Sequence, residues 1–188
     1  MAIRLKGRTP RKITPNSLET AAHFYLQRYA TSAANLRRVL MRRVQRAAYT
    51  HDNDPLDSAA LVEALVDRFV RSGMLDDRAY AEGRAASLHR RGISRHGITA
   101  RLTAKGVALE DVDAALSQLR DAHADLDLDA ACNYARRRRL GPWRLKERAE
   151  RRERDLAALA RQGFSYELAI RVIDATDIAT LEAELNGK

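Results

Sequence analysis

Three kinds of side chain in this sequence have types that support catalysis or metal binding: an adjacent carboxylate pair, five histidines and one cysteine. Asp76 and Asp77 stand at a predicted helix start, where neighbouring side chains point in different directions and suit capping and the positive helix dipole. The histidines lack the spacing of metal ligands, and Cys132 lies in a helical apolar pattern without a histidine nearby. We therefore expect no catalytic residue and no metal site.

Loops that bind nucleotide phosphates have recognisable glycine spacings, GxxxxGK[ST] or GxGxxG. Neither spacing occurs in the sequence. We therefore expect no cofactor and no ATP turnover by this chain alone, which favours a binding protein over an enzyme.

Arginine is the residue type that points to a function. Guanidinium groups bind carboxylates and phosphates equally well. One predicted helix carries an arginine stripe with few acids within a turn, a looser basic group follows in mid-chain, and a run of four arginines comes third. The candidate contact residues are Arg37, Arg38, Arg42, Arg43 and Arg46; Arg90, Arg91, Arg101 and Lys105; and Arg136, Arg137, Arg138 and Arg139. The alternative for each group is a solvated helix face.

A later predicted helix mixes arginines with glutamates. Glu147 precedes Arg151 by four residues, and Glu150 precedes Arg154 by four, a spacing that favours ion pairs on one helix face. We interpret these arginines as surface charge.

The composition narrows the class of protein. The net charge of +9 and the isoelectric point near 10.2 point to a polyanionic partner. Aromatic residues make up only 5%, while Leu, Ala and Val dominate, which favours helices. A single cysteine, no secretory signal and no apolar run of about 20 residues predict a cytoplasmic protein.

Amphipathic spacing predicts an all-α protein of about nine helices, arranged as three tandem three-helix repeats that form an elongated, curved molecule. The positions Leu102, Gly106 and Leu116 match Leu159, Gly163 and Ile173 at a period of 57 residues. The predicted segments are a flexible basic tail (1–16), three repeats (17–73, 74–121 and 122–176) and an acidic C-terminal tail (177–188).

Four stretches together resemble the RecX family over roughly residues 19–175. They are YLQRYATSAANLRRVL, GMLDDRAYAE, ITARLTAKGV and LARQGFSYELAIRVI, in that order. The resemblance implies a regulator in recombination, DNA repair and the SOS response. Such a protein binds RecA and the groove of the RecA–single-stranded DNA filament, inhibiting filament extension, recombinase activity and ATP hydrolysis. A monomer without a membrane partner is expected.

Two rival functions explain the same charge without RecA. One is a helical DNA regulator that places an arginine-rich helix in the major groove, and the other is an RNA-associated protein. Both require strong binding to naked nucleic acid, whereas a filament regulator prefers RecA-coated strands.

Overall fold

The computed structural model describes residues 12–49 and 55–186 of the chain. Within these ranges the protein has ten α-helices, one short 3-10 helix and no β-strand, which confirms the predicted all-α class. None of the helices in the described ranges combines the length and the apolar character that crossing a membrane requires.

The helices follow one another with short connections. Their bounds are α1 Pro15–Leu26, α2 Ala33–Ala48, α3 Pro55–Arg71, α4 Asp77–Arg90, α5 Arg95–Thr103, α6 Leu109–Ala122, α7 Leu126–Arg138, α8 Arg148–Ala160, α9 Tyr166–Ile173 and α10 Ile178–Asn186, with the 3-10 helix Gly141–Trp143 between α7 and α8.

Side-chain caps define the start of several helices. The hydroxyl groups of Ser32, Ser94 and Ser165 each accept a hydrogen bond from a backbone N–H in the first turn of α2, α5 and α9. Helix α1 starts two residues before Ser17, the predicted start of the first repeat. The reason is that Thr14 forms a capping box with Ser17 and that Pro15 suits the first helical position.

The structure describes each of the two predicted tails only in part. Residues 1–11 of the expected basic tail lie outside the described residues, as do residues 51–54 of the loop expected between the second and third helices. The expected acidic tail contains α10, whose Leu181 is buried among side chains of the last core cluster. This helix accounts for the tenth α-helix where the sequence pattern predicted about nine.

The chain divides into two compact units, residues 1–77 and 78–188. In the first unit, α1, α2 and α3 enclose one apolar core. Its fully buried members include Leu18, Leu36, Leu40, Val44 and Val62. This helix triplet therefore has an apolar core of its own.

The second unit contains two apolar clusters. One joins α4, α5 and α6 around Ile98 and Leu102, and the other joins α7 to α10 around Leu128 and Leu159. Gly106 and Gly163 have matching left-handed backbone, φ +79 and +88, at the two turns related by the 57-residue period. These features are compatible with a repeat, while the number of repeats stays a prediction.

Candidate anion-binding surface

A close backbone approach brings the end of α4 onto α7. Gly92 has φ +75, and a Cβ atom at this position would lie 2.5 Å from the Tyr134 Cβ and 2.8 Å from the Ala130 carbonyl oxygen. Only glycine fits this contact, since it has no side chain and tolerates left-handed backbone. The contact places Arg91 next to the arginine run of α7.

A second contact fixes the start of α5 against the turn between α8 and α9. The buried Ser94 hydroxyl donates to the Gln162 carbonyl oxygen at 2.9 Å and accepts from the Gly97 N–H at 3.0 Å. At Gly163, a Cβ atom would meet the Ser94 oxygen at 2.6 Å. Helices α5 and α8 are therefore held together at this turn, which brings their arginines to one surface.

Between these contacts lies an open cavity of about 570 Å³. Its lining includes five arginines from α4, α5, α7 and the turn after α4: Arg84, Arg91, Arg101, Arg137 and Arg138. None of the described residues contributes a carboxylate to the lining of this cavity. Such a concentration of guanidinium groups suits a polyanion.

An adjoining cavity of about 670 Å³ shares Tyr134, Arg138 and Gln162 with the first. It adds four arginines: Arg144, Arg151, Arg154 and Arg161. The two cavities together are called the arginine cleft below. Nine arginines line it, and Asp155 is the one carboxylate among its lining residues.

Asp155 is already paired with an arginine within the fold. Its side chain is 1% exposed and accepts two hydrogen bonds from the Arg144 guanidinium, at 2.7 and 3.0 Å, and one from the Gly141 N–H at 3.1 Å. The two bonds between Arg144 and Asp155 raise the pKa of Arg144 above its ordinary value. Arg144 and Asp155 therefore form a structural pair. The other eight arginines determine the net charge of the cleft.

Of those eight arginines, Arg151 pairs with Glu147 at 3.2 Å. The other seven are exposed and make no ion pair with a carboxylate within the described ranges: Arg84, Arg91, Arg101, Arg137, Arg138, Arg154 and Arg161. The Arg138 guanidinium lies 5.9 Å from the centre of the Tyr134 ring, which also lines the cleft. The cleft thus presents cationic groups that remain available to a ligand.

The sequence-predicted residues of the second unit divide between the cleft and other surfaces. Arg91, Arg101, Arg137 and Arg138 line the cleft. Arg90 and Lys105 are exposed and are not among its lining residues. Arg136 donates to the Asn133 side chain at 2.8 Å, and Arg139 ends α7 in left-handed backbone with φ +55.

The predicted residues of α2 belong to the first unit. Arg37 pairs with Glu63 of α3 at 2.6 Å and approaches Asp67 at 3.9 Å, partners that the sequence spacing did not reveal. Arg38 and Arg46 are exposed and donate to carbonyl oxygens of their own helix, and Arg42 is also exposed. Arg43 is half-buried, and its Nε has no hydrogen-bond partner among the residues that the structure describes.

Sequence reasoning missed several residues of the cleft: Arg84, Tyr134, Arg144, Arg151, Arg154, Arg161 and Gln162. The sequence contained a usable signal, because Arg154 and Arg161 come three and ten positions after Arg151, a spacing that places the three side chains on one helix face. The predicted Glu147–Arg151 pair forms, whereas Arg154 makes no ion pair with Glu150 in the described part of the chain.

Opposite the cleft, α8 is bound to α9. The Arg148 guanidinium donates to the carbonyl oxygen of Ile173, the last residue of α9, at 2.8 Å and to that of Ala175, just beyond the helix. Arg152 forms a two-pronged ion pair with Asp174, at 2.7 and 2.8 Å, which lowers the pKa of that carboxyl group. These contacts fix the orientation of α8 and so direct its other arginines to the cleft.

Comparison with known proteins gives a consistent result. Residues 76–116 match the family model described as RecX, second three-helix domain. The chain is 47% identical over 169 residues to Regulatory protein RecX of Myxococcus xanthus, a match that covers 88% of this chain and 89% of the relative. It is 36% identical over 165 residues to Regulatory protein RecX of Agrobacterium fabrum, covering 87% of this chain and 84% of the relative.

A third relative, Regulatory protein RecX of Thermobifida fusca, is 36% identical over 114 residues, which is 60% of each chain. No solved structure matches this chain significantly. Because the first match spans nearly the whole of both proteins and the family model covers α4, α5 and most of α6, the chain belongs to the RecX family of regulatory proteins.

Proposed function

We propose that this protein regulates a RecA recombinase by binding RecA and the groove of the RecA–single-stranded DNA filament, and that it limits filament extension, recombinase activity and ATP hydrolysis. The observation that carries the proposal is the match to RecX regulatory proteins over 88% of the chain. Each step is a binding step, so the proposed regulator needs no catalytic residue. Acting as a monomer in the cytoplasm is part of the same proposal.

The arginine cleft supplies a contact surface for this proposal. Its seven exposed arginines without ion pairs suit the two anionic groups that a nucleoprotein filament presents, the DNA phosphates and the carboxylates of the protein. A regulator of this kind changes ATP turnover by favouring one filament state over another. Its effect is therefore limited by its difference in affinity for the two states.

A second candidate function is nucleic-acid binding without RecA. Among the described residues, Asp155 is the one carboxylate that lines the cleft, and it is paired with Arg144. This favours binding to nucleic acid, because phosphate groups alone could pair with the remaining arginines. The two functions differ in whether RecA must coat the strand.

The deciding experiment titrates this protein into RecA that hydrolyses ATP on single-stranded DNA, with binding to bare DNA measured at the same salt concentration. Matched salt is needed because phosphate contacts weaken steeply as salt rises. We expect the hydrolysis rate to fall at amounts well below one regulator per RecA, since a block at a growing filament end acts on many subunits.

Tight binding to bare strands with an unchanged hydrolysis rate would contradict filament regulation and support the second candidate. A fall in the hydrolysis rate that simply parallels the fraction of DNA covered by this protein would also support the second candidate, because competition for bare strands needs no contact with RecA.

A further inference from the structure

A cluster of potential metal ligands lies outside the arginine cleft. His89 is in the last turn of α4, His123 follows the end of α6, and Asp129 is in the first turn of α7. One ligand atom from each residue can be chosen so that the three atoms lie within 4.8 Å of one another. Three helices therefore converge on one set of nitrogen and oxygen donors. The sequence did not reveal this set, because His123 comes 34 positions after His89 and six before Asp129.

The distances within the cluster fit a small divalent ion. The His123 Nδ1 and Asp129 Oδ2 atoms are 2.9 Å apart, and His89 Nε2 lies 3.7 Å from the same oxygen. Ligands bound tetrahedrally to Zn²⁺ at roughly 2.0 Å are separated by about 3.3 Å. Shifts of a few tenths of an ångström would therefore bring these two separations to that value, and the ligand nitrogens of the two histidines lie within 4.8 Å of each other.

The surroundings of the cluster hold its donors in place. Asp129 Oδ1 accepts from the Asn133 side-chain amide at 3.1 Å, which leaves Oδ2 facing the histidines. The two imidazole rings lie 4.4 Å apart, centre to centre. A hydrogen-bonded outer partner of this kind orients the carboxylate ligand in metal sites.

His89 is 2% exposed, and its Nε2 lies 2.9 Å from the Leu126 carbonyl oxygen. Burial, as the main cause, lowers the pKa of this imidazole and so favours the neutral form, in which imidazole binds metals. Because a carbonyl oxygen can only accept, this contact with Leu126 places the His89 proton on Nε2 in the metal-free protein, and metal binding through Nε2 moves that proton to Nδ1.

We propose that His89, His123 and Asp129 form a binding site for Zn²⁺ or another divalent transition metal that prefers imidazole. Two imidazoles and a carboxylate favour such metals over Mg²⁺ and Ca²⁺, which prefer oxygen ligands alone. In the metal-bound form, each neutral ring keeps its single proton on the nitrogen that does not bind the metal. The bound ion joins the ends of α4 and α6 to α7 and thereby stabilises the unit that carries the arginine cleft.

The test uses the full chain without an affinity tag, stripped of metal. Co²⁺ is titrated in while its visible absorption is recorded, and Zn²⁺ is then added as a competitor. We expect the cobalt spectrum of a low-coordinate nitrogen and oxygen site, its loss on adding Zn²⁺, and a higher thermal midpoint of the zinc-loaded chain.

Two substitutions locate the site. His123→Gln, at a partly exposed position, and Asp129→Asn should each lower metal affinity by more than the roughly 10- to 100-fold that loss of an outer hydrogen-bond partner costs. His96→Gln, at an exposed histidine of α5 outside the cluster, is the matched control and should leave the affinity unchanged.

Absence of the cobalt spectrum in the wild-type chain would overturn the proposal and leave the three residues as a hydrogen-bonded structural group. Equal loss of affinity in His123→Gln and His96→Gln, with circular dichroism unchanged, would also overturn it. Because none of these readouts uses RecA or DNA, they do not depend on the proposed regulatory function.

Discussion

The two faces of α8 carry arginines with different surroundings. Arg148 and Arg152, four positions apart, are bound to the end of α9 through carbonyl oxygens and Asp174. Arg154 and Arg161 line the arginine cleft and make no ion pair within the described residues. One helix of alternating charge thus has a structural face and a face available to a ligand.

The difference shows that the number of acidic neighbours in sequence is a poor guide to which arginines are available. Glu150 lies one turn before Arg154 without pairing to it, whereas Asp174 pairs with Arg152 across 22 positions. An exposed pair gains little because solvent screens it and two long side chains lose freedom. Availability is therefore set by the helices that pack on each face.

The largest effect is expected from Gly92→Ala, which disturbs the contact between the α4–α5 turn and α7. The new Cβ would overlap Tyr134 and the Ala130 carbonyl oxygen, and alanine is also strained at φ +75. We expect a loss of about 4 kcal/mol in the free energy of unfolding, measured with urea.

Gly73→Ala is the matched control for this substitution. Gly73 has nearly the same backbone conformation, φ +73, but a Cβ there would have no atom within 4 Å. It should lose only about 1 kcal/mol, the cost of left-handed backbone. Equal losses at both positions would show that close packing on α7 does not stabilise the cleft.

Asp155→Ala tests the structural pair within the cleft. It leaves the Arg144 guanidinium, whose side chain is 23% exposed, without its carboxylate and the Gly141 N–H without an acceptor. We expect a loss of about 3 kcal/mol, at the low end for breaking a buried pair, because Arg144 reaches solvent in part. Urea unfolding, followed by circular dichroism, gives the value.

Glu153→Ala on the same helix is its control, since this glutamate is 80% exposed. The change in unfolding free energy should stay within about 0.5 kcal/mol, as is usual for surface positions. Similar values for the two variants would contradict the division between structural and available arginines.

Charge reversal tests the available arginines directly. We expect Arg91→Glu, Arg137→Glu and Arg154→Glu together to preserve helicity and to weaken binding to single-stranded DNA on the order of 50-fold at physiological salt. This figure assumes that each arginine contacts one phosphate, with the salt dependence of single strands. The slope of log affinity against log salt concentration should also fall by about 2.

The control carries Arg90→Glu, Arg95→Glu and Arg120→Glu, three exposed residues of the same unit that do not line the cleft. This control changes the net charge by the same amount as the cleft variant, so a difference in DNA binding between the two reports the position of the arginines and not the total charge. A third variant with Arg38→Glu, Arg42→Glu and Arg46→Glu tests the stripe on α2. Equal weakening in all three variants would show that total charge, and not the cleft, determines binding.

Local signals were sufficient to predict the helices. Serines followed by apolar positions at helical spacing stand at the starts of α2, α5 and α9, and glycines stand at the left-handed turns of Gly106 and Gly163. The reason is that capping and helical amphipathicity depend on residues within one or two turns. The same signals, combined in order, were enough for the resemblance to the RecX family.

The composition of the cleft depended on contacts between distant residues. Arg84 and Arg161 line one surface because Gly92 lets the end of α4 approach α7 and because the Ser94 hydroxyl binds the Gln162 carbonyl. No spacing within a helix records such contacts. The sequence by itself therefore determined the helical class, the helix starts and the abundance of arginine, while tertiary packing decided which arginines are bound within the fold and which remain exposed.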